Sequence, residues 1–357
     1  MTAPETVLRC FPVPGTAASF TPIRSGHINR TWLVTADTGE RYILQRVNNA
    51  VFPDVAAVMD NASRVADYLE RRGEGGLLIR YLAASDGGRW VSDGEGGAWR
   101  LYRFVENSVC HRRAENLTQL YESGRGFGAF LHALRDFPVS ALKETIPGFH
   151  DTPARYRAFR RAVEADVCGR AGELEKEIGF LLSREERASQ LQQMLLRGEL
   201  PLRVTHNDTK ISNILMDADT GRAKCVIDLD TVMPGLAAWD FGDGIRCAAS
   251  SAEESVREPG KARLDPERFR AFARGYLEAC PDLTPSELRS LPLGAFTMTL
   301  ECGMRFLTDY LEGDRYFSVD YAAHNLDRGR TQLRLAGDME KRLDEVEQIL
   351  RGLERKP

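Results

Sequence analysis

Apolar and polar residues alternate through much of the first hundred positions, so that part of the chain reads as strands around one helix. Residues 31–35 and 41–47 are β-rich runs, and the 36–40 segment ADTGE between them is a hairpin signal. After Pro53 the period changes. Val55, Val58, Met59, Ala62, Val65, Ala66 and Leu69 recur at helical spacing, and Gly73 closes the helix. Strand runs follow at 77–82 and 89–91, and a glycine-rich turn at 93–97 leads into a strand over 98–105. Beyond Glu106 helical periods take over, at 117–137, 153–170 and 173–196. Short apolar strands around polar loops occupy 202–215 and 224–229, and helices return from about 265 to 355, including 286–311 and 331–353. The pattern predicts an α+β protein with a small β-rich N-lobe (1–105) and a larger helical C-lobe (106–357), joined by a linker near 104–112.

A chain of 357 residues buries a sizeable core without disulfide or metal staples. Its 52 acidic and 48 basic residues leave a net charge of −4, which gives no electrostatic reason to expect nucleic acid. The basic-aromatic stretch Arg155-Tyr-Arg-Ala-Phe-Arg-Arg161 fits an amphipathic helix face equally well. Seven scattered cysteines, none in C-x-x-C spacing, suit a reducing compartment. No run of 18 apolar residues and no basic-then-apolar leader is present. The expectation is a cytoplasmic protein with no membrane, nucleic acid or obligate protein partner.

The chemistry concentrates in VTHNDTKISNILMD (204–217) and CVIDLD (225–230). Phosphoryl transfer needs a carboxylate to orient the acceptor hydroxyl and take its proton. It also needs a cation to neutralise phosphate charge, and oxygen ligands for Mg²⁺. Asp208 can be the base. Lys210, two residues on, can reach the transferring phosphate, and Asn213 and Asp228 can hold the metal. The spacing H-x-D-x-x-x-x-N followed by an apolar-Asp strand matches the catalytic and metal loops of a protein-kinase-like architecture. Taken singly, Asp208 and Asn213 could be turn formers, and His206 reads as a brace for the loop.

On these residues the sequence resembles the aminoglycoside phosphotransferase and choline kinase-like superfamily. The likeness runs over nearly the whole chain, through SGHINRTWLV (25–34), RYILQRVN (41–48), GGAWRLYRFVE (96–106), HDTPARY (150–156), LRVTHNDTK (202–210) and IDLDTVMPG (227–235). WDFGDGIR (239–246) and ECGMRFLTDYLEGD (301–314) are narrower and resemble the sugar 1-kinase branch acting on N-acetylhexosamines. The resemblance implies a two-lobe kinase-like fold with ATP in the cleft. It also implies transfer of the γ-phosphoryl group to the anomeric hydroxyl of N-acetylglucosamine or N-acetylgalactosamine. It carries the base to Asp208, the principal Mg²⁺ ligand to Asp228 and the second ligand to Asn213.

The N-lobe departs from a protein-kinase template. The strand RYILQRV carries Gln45 and Arg46 where a phosphate-directed lysine is expected, and alternation sends the two to opposite faces. Ser25-Gly26-His27-Ile28-Asn29 has one glycine and reads as a short turn over the phosphates, with Gly26 and Asn29 as cofactor contacts. Arg103, Phe104 and Val105 sit where a hinge strand would offer backbone groups to adenine. For the sugar, the candidates are His27, Asp243, Arg246, Glu301 and Arg305. Glu301, Arg305 and Asp309 share one helix face and could equally be a surface ion-pair ladder. Rival readings are a related kinase with an aminoglycoside, choline-type amine or homoserine acceptor, and a catalytically dead nucleotide-binding scaffold. A cationic acceptor should meet clustered carboxylates or an aromatic cage.

Overall fold

The computed structural model describes residues 3–23 and 28–354, and the chain divides into two compact units. The first comprises residues 1–112, 136–147 and 212–234, and the second the remainder.

In the first unit, β1 (Ala17–Ile23), β2 (Arg30–Ala36), β3 (Arg41–Val47), β4 (Val91–Ser92) and β5 (Ala98–Arg103) form an antiparallel sheet in the order β1-β2-β3-β5-β4. The predicted hairpin joins β2 to β3, with Gly39 at a positive φ that favours glycine. One sheet face buries Val34, Tyr42, Leu44, Trp99 and Leu101 against Val7, Leu8 and Phe11, the first two from the short helix α1 (Pro4–Leu8). Helix α2 (Val55–Arg71) starts where Asp54 accepts the Ala57 N–H, and it buries Val58, Ala62, Val65 and Leu69.

A second sheet in this unit has the order β6-β8-β9, from β6 (Ser108–Cys110), β8 (Ile214–Asp217) and β9 (Ala223–Val226); β7 (Arg203–Thr205) belongs to the second unit. The predicted strand at 77–82 forms no continuous ladder. A 3-10 turn covers Gly75–Leu77, after which Leu78 bridges Val226 and Tyr81 bridges Tyr102, so the segment stitches the two sheets together. The expected division at residue 105 is contiguous, whereas this unit recruits two later segments. Buried Asn61 explains how: its amide donates to Lys143 O at 2.7 Å and Val232 O at 2.9 Å, and its oxygen accepts from Lys143 N–H.

The second unit holds α3 (Leu117–Ala133), α4 (Thr152–Ala165), α5 (Glu175–Leu182), α6 (Glu185–Ala188), α7 (Gln190–Leu196), α8 (Ala237–Ala248), α9 (Pro266–Ala279), α10 (Pro285–Glu312), α11 (His324–Lys341) and α12 (Leu343–Glu354). The helix expected over 173–196 is therefore three short ones. Ser183 and Arg184 interrupt it, the guanidinium leaving for Glu340. The one expected over 331–353 breaks at Arg342. Helix α10 is the spine, opened by a capping box between Thr284 and Glu287 and closed by Gly313. It packs on α8, where a Cβ at Gly242 would lie 2.3 Å from Gly294 O. Glycines at this crossing let the two backbones touch. Among the described residues no helix is long and apolar enough to cross a membrane.

Candidate active site

In the second unit, β7 delivers the segment from His206 to Lys210, and α8 grips it. Asp240, buried on α8, accepts the His206 N–H at 2.8 Å and the Asn207 N–H at 2.7 Å. Asp243 accepts the Thr209 N–H at 2.8 Å, and the Thr209 hydroxyl donates to Asp240 O. Backbone amides that would otherwise be unpaired in a buried loop are thus satisfied by two side chains one helical turn apart. Burial pushes the Asp240 carboxyl up to about 7, against the pull of the two amides. Asn207 takes a left-handed conformation, which asparagine tolerates. His206 is buried edge-on to Phe127 and Phe130, a bracing position. Asp208 lies partly exposed, with the Lys210 ammonium 2.6 Å from its Oδ2. Strand β7 itself is pinned by Arg203, whose guanidinium forks between Glu287 at the head of α10 and Asp282.

In the first unit, the β8–β9 ladder brings Asn213 and Asp228 to the same end of that strand pair. Ile214 pairs with Val226, and the Ile227 N–H donates to Asn213 O at 2.9 Å. Asp228 has φ +61, a left-handed conformation uncommon for a residue with a side chain. A carboxylate and an amide carbonyl are hard oxygen donors, the kind Mg²⁺ prefers, and Mg²⁺ commonly takes one or two protein ligands plus phosphate oxygens. The donor set therefore fits that ion. Asp230, two residues on, is buried and takes Asn29 Nδ2 on one oxygen and Arg100 on the other.

The remaining nucleotide candidates fall as follows. Gly26 and His27 lie outside the described residues. Gln45 and Arg46 do point apart: Gln45 bonds Thr31 and Arg100, while Arg46 lies 3.8 Å from Asp93. Arg103 pairs with Glu40 over the Tyr42 ring. The Phe104 N–H donates to Arg41 O, and its ring lies under the Arg41 guanidinium. The Val105 carbonyl accepts from Ser108.

The acceptor candidates among the described residues all lie in the second unit. Asp243 holds Arg246 at 2.8 Å, and Arg246 also reaches Glu254. Glu301 is buried and accepts from Thr152 at 2.7 Å, with His150 Nδ1 at 2.9 Å. Burial pushes its carboxyl up, but His150, Arg155 and Thr152 outweigh that and leave it below the usual range. Asp309 caps the N–H groups of Arg315, Tyr316 and Phe317. Arg305 lies over the rings of Phe149, Tyr316 and Phe317, at 5.0, 5.8 and 5.5 Å. Phe149 touches His150, and His150 touches Trp239, so an aromatic strip runs from Arg305 to α8.

Sequence reasoning missed that strip and Arg100. The signal for Arg100 was a charge in the middle of the strand AWRLYR, whose other arginine stands at its exposed end; that for the strip was the clustering of aromatics around HDTP and after EGD.

Residues 19–282 match a model described as the phosphotransferase enzyme family (APH). Among solved structures, an aminoglycoside phosphotransferase from Alicyclobacillus acidocaldarius is 15% identical with a TM-score of 0.66, covering 99% of this chain and 97% of its own. An amicoumacin kinase solved with AMP-PNP and Ca²⁺ is 14% identical with a TM-score of 0.61, covering 92% and 91%. A microcompartment-associated aminopropanol kinase is 17% identical with a TM-score of 0.59, covering 96% and 97%. These likenesses show the fold to be protein-kinase-like, an antiparallel-sheet lobe with a helical lobe.

Proposed function

The chain belongs to the phosphotransferase enzyme family, and from that premise we propose that it is an ATP-dependent kinase for N-acetylhexosamines. It transfers the γ-phosphoryl group to the anomeric hydroxyl of N-acetylglucosamine or N-acetylgalactosamine, giving the sugar 1-phosphate. Asp208 orients the acceptor hydroxyl and takes its proton as the phosphoryl group leaves ADP. Lys210 bonds Asp208. Its ammonium neutralises charge building on the transferring phosphate. Asp228 and Asn213 would hold Mg²⁺, which would neutralise phosphate charge. Positioning and fixed charge supply most of the acceleration, as expected for a loose phosphoryl transition state.

The observation that carries the acceptor class is how the acids of the acceptor region are spent. Asp243 is on Arg246 and a backbone amide, Glu301 on His150 and Thr152, and Asp309 on three backbone amides. What the aromatic strip presents is a guanidinium among ring faces, and buried Trp239 Nε1 has no acceptor among the described residues. A cationic amine would meet like charge there. A neutral sugar can stack its C–H face on the rings and accept hydrogen bonds from the donors. An amine acceptor, the kind named for the aminopropanol kinase, is the rival.

The test is incubation with ATP, Mg²⁺ and N-acetylglucosamine, N-acetylgalactosamine, glucose, kanamycin or choline, with Asp208→Asn as control. Phosphorus NMR locates the product. An anomeric phosphate on the N-acetyl sugars, reduced about 10²–10⁴-fold in the control, supports the proposal. Phosphate on kanamycin or choline alone sinks the acceptor assignment.

A further inference from the structure

Where a phosphate-directed lysine is expected in β3, Gln45 stands, and both ends of its amide are engaged within the sheet. Its Nε2 donates to Thr31 at 3.2 Å, and its Oε1 accepts from Arg100 Nε at 3.0 Å. Gln45 and Arg100 are opposite each other in the β3–β5 ladder. Arg100 is fully buried, with its guanidinium over the Tyr81 ring at 4.7 Å. Its Nη1 donates to Asp230 Oδ1. The other oxygen of Asp230 accepts from Asn29 at 2.7 Å, and Asn29 Oδ1 accepts from the N–H of Asn48, just past β3. The cation therefore ties four places together: β5, β3, the start of β2, and the turn Leu229–Thr231 that follows Asp228. Arg100 Nη2, though buried, has no acceptor among the described residues.

A buried ion pair is a poor source of net stability, because desolvation offsets the attraction; an apolar pair of similar volume serves a core at least as well. A buried donor without a partner makes a purely structural account weaker still. What such a network supplies is position. Here it holds the turn whose preceding residue, Asp228, sits in the left-handed region.

We propose that Arg100 is a positioning residue that takes over the lysine's charge from the neighbouring strand, fixing the Asp228 turn through Asp230 and Asn29 in the shape that accepts a nucleotide-bound divalent cation. The proposal rests on the reading of Asp228 as a metal ligand in an ATP-dependent kinase.

The test uses the full chain and Mn²⁺ as probe. Free Mn²⁺ is read by EPR in the presence of saturating ADP, metal-free ADP binding by calorimetry in EDTA, and folding by thermal melt. Arg100→Gln combined with Asp230→Asn removes both charges and leaves none buried alone. The expected result is a folded protein with metal-free ADP affinity within about threefold of wild type and Mn²⁺ affinity weaker by about tenfold or more. Arg100→Lys keeps the charge but not the fork and falls in between. Asn29→Ala, which alters no charge, should weaken Mn²⁺ in the same direction and covers the case of a double variant that does not fold. Wild-type Mn²⁺ affinity in a folded double variant, or in both single variants, overturns the proposal. An unmutated chain that binds no ADP overturns the kinase reading itself, and is recognised before any variant is made.

Discussion

Replacing Gly242 by alanine tests whether the close approach of α8 to α10 is what places the loop bearing Asp208. The added Cβ would lie 2.3 Å from Gly294 O and 2.5 Å from its carbonyl carbon. Both are backbone atoms and cannot turn aside. Restoring an ordinary contact requires α8 to shift by about 1 Å. The three bonds from Asp240 and Asp243 to the loop amides are 2.7–2.8 Å long, so that shift carries them out of hydrogen-bond range unless the loop follows. Overpacking of this kind costs about 1–3 kcal/mol in stability. A 1 Å misplacement of a catalytic group costs about 10²-fold in rate. The expected outcome is a Tm lower by a few degrees and kcat down about 10²-fold, with KM for ATP changed by less than about threefold. The assay is ADP release with the acceptor identified by NMR, beside a melt. Gly179→Ala is the control: this glycine is exposed in α5 with nothing within 4 Å of its added Cβ, and alanine there should stabilise by about 0.5–1 kcal/mol. A Gly242→Ala protein with wild-type Tm and kcat would show that the glycine contact does not set the loop.

Asp240 gives a pH signature. Its folded pKa, about 7, stands above the unfolded value of 3.8, so the folded state binds the proton more tightly. Its contribution to stability falls as pH rises from about 4 to 7 and then levels. Between pH 5.5 and 8 the decline amounts to about 2 kcal/mol. Melts of wild type and Asp240→Asn at pH 5.5, 6.5 and 8 should show the wild type losing ground; a constant difference refutes the shift. Arg305→Ala should raise the acceptor KM about 10–100-fold while leaving KM for ATP within about threefold, the loss expected for one charged hydrogen bond. Equal effects on both substrates would remove Arg305 from acceptor recognition.

Local signals made much of the fold readable. The ADTGE hairpin, the helix after Pro53 and the strand-loop-strand around Asp208 each declare themselves within a dozen residues. Alternation also separated Gln45 from Arg46 correctly. What could not be read depends on contacts distant in sequence. Arg100 meets Asp230 across 130 positions, and nothing near either residue names the other. Asn61 gathers residues 143 and 232 into the first unit, which no composition shift marks. The 173–196 helix fails because Arg184 leaves for Glu340, and helical periodicity is blind to a distant acid. Glu301, Arg305 and Asp309 share a face as expected, yet each turns to a different partner: His150, three rings and a backbone loop.

Asp228 and Asp230 have the same side chain two residues apart, and residue type alone cannot assign the metal to either. Their surroundings can. Both oxygens of Asp230 already accept, and one of the donors is a buried guanidinium. A divalent cation about 4 Å from that charge would be repelled by about 8 kcal/mol at an effective dielectric near 20, offsetting about half of what a directly bound carboxylate returns. Asp230 is therefore a poor direct ligand, and under the proposed function the metal role falls to Asp228, at its left-handed position beside Asn213. The two roles differ in size. Loss of a group that stands behind a ligand weakens metal binding about 10–100-fold. Loss of the ligand carboxylate should do more. Asp228→Asn should thus abolish measurable Mn²⁺ binding to the ADP complex, while the Arg100→Gln, Asp230→Asn pair only weakens it. The reverse order, with Mn²⁺ held by the Asp228 variant and lost from the pair, would exchange the two assignments.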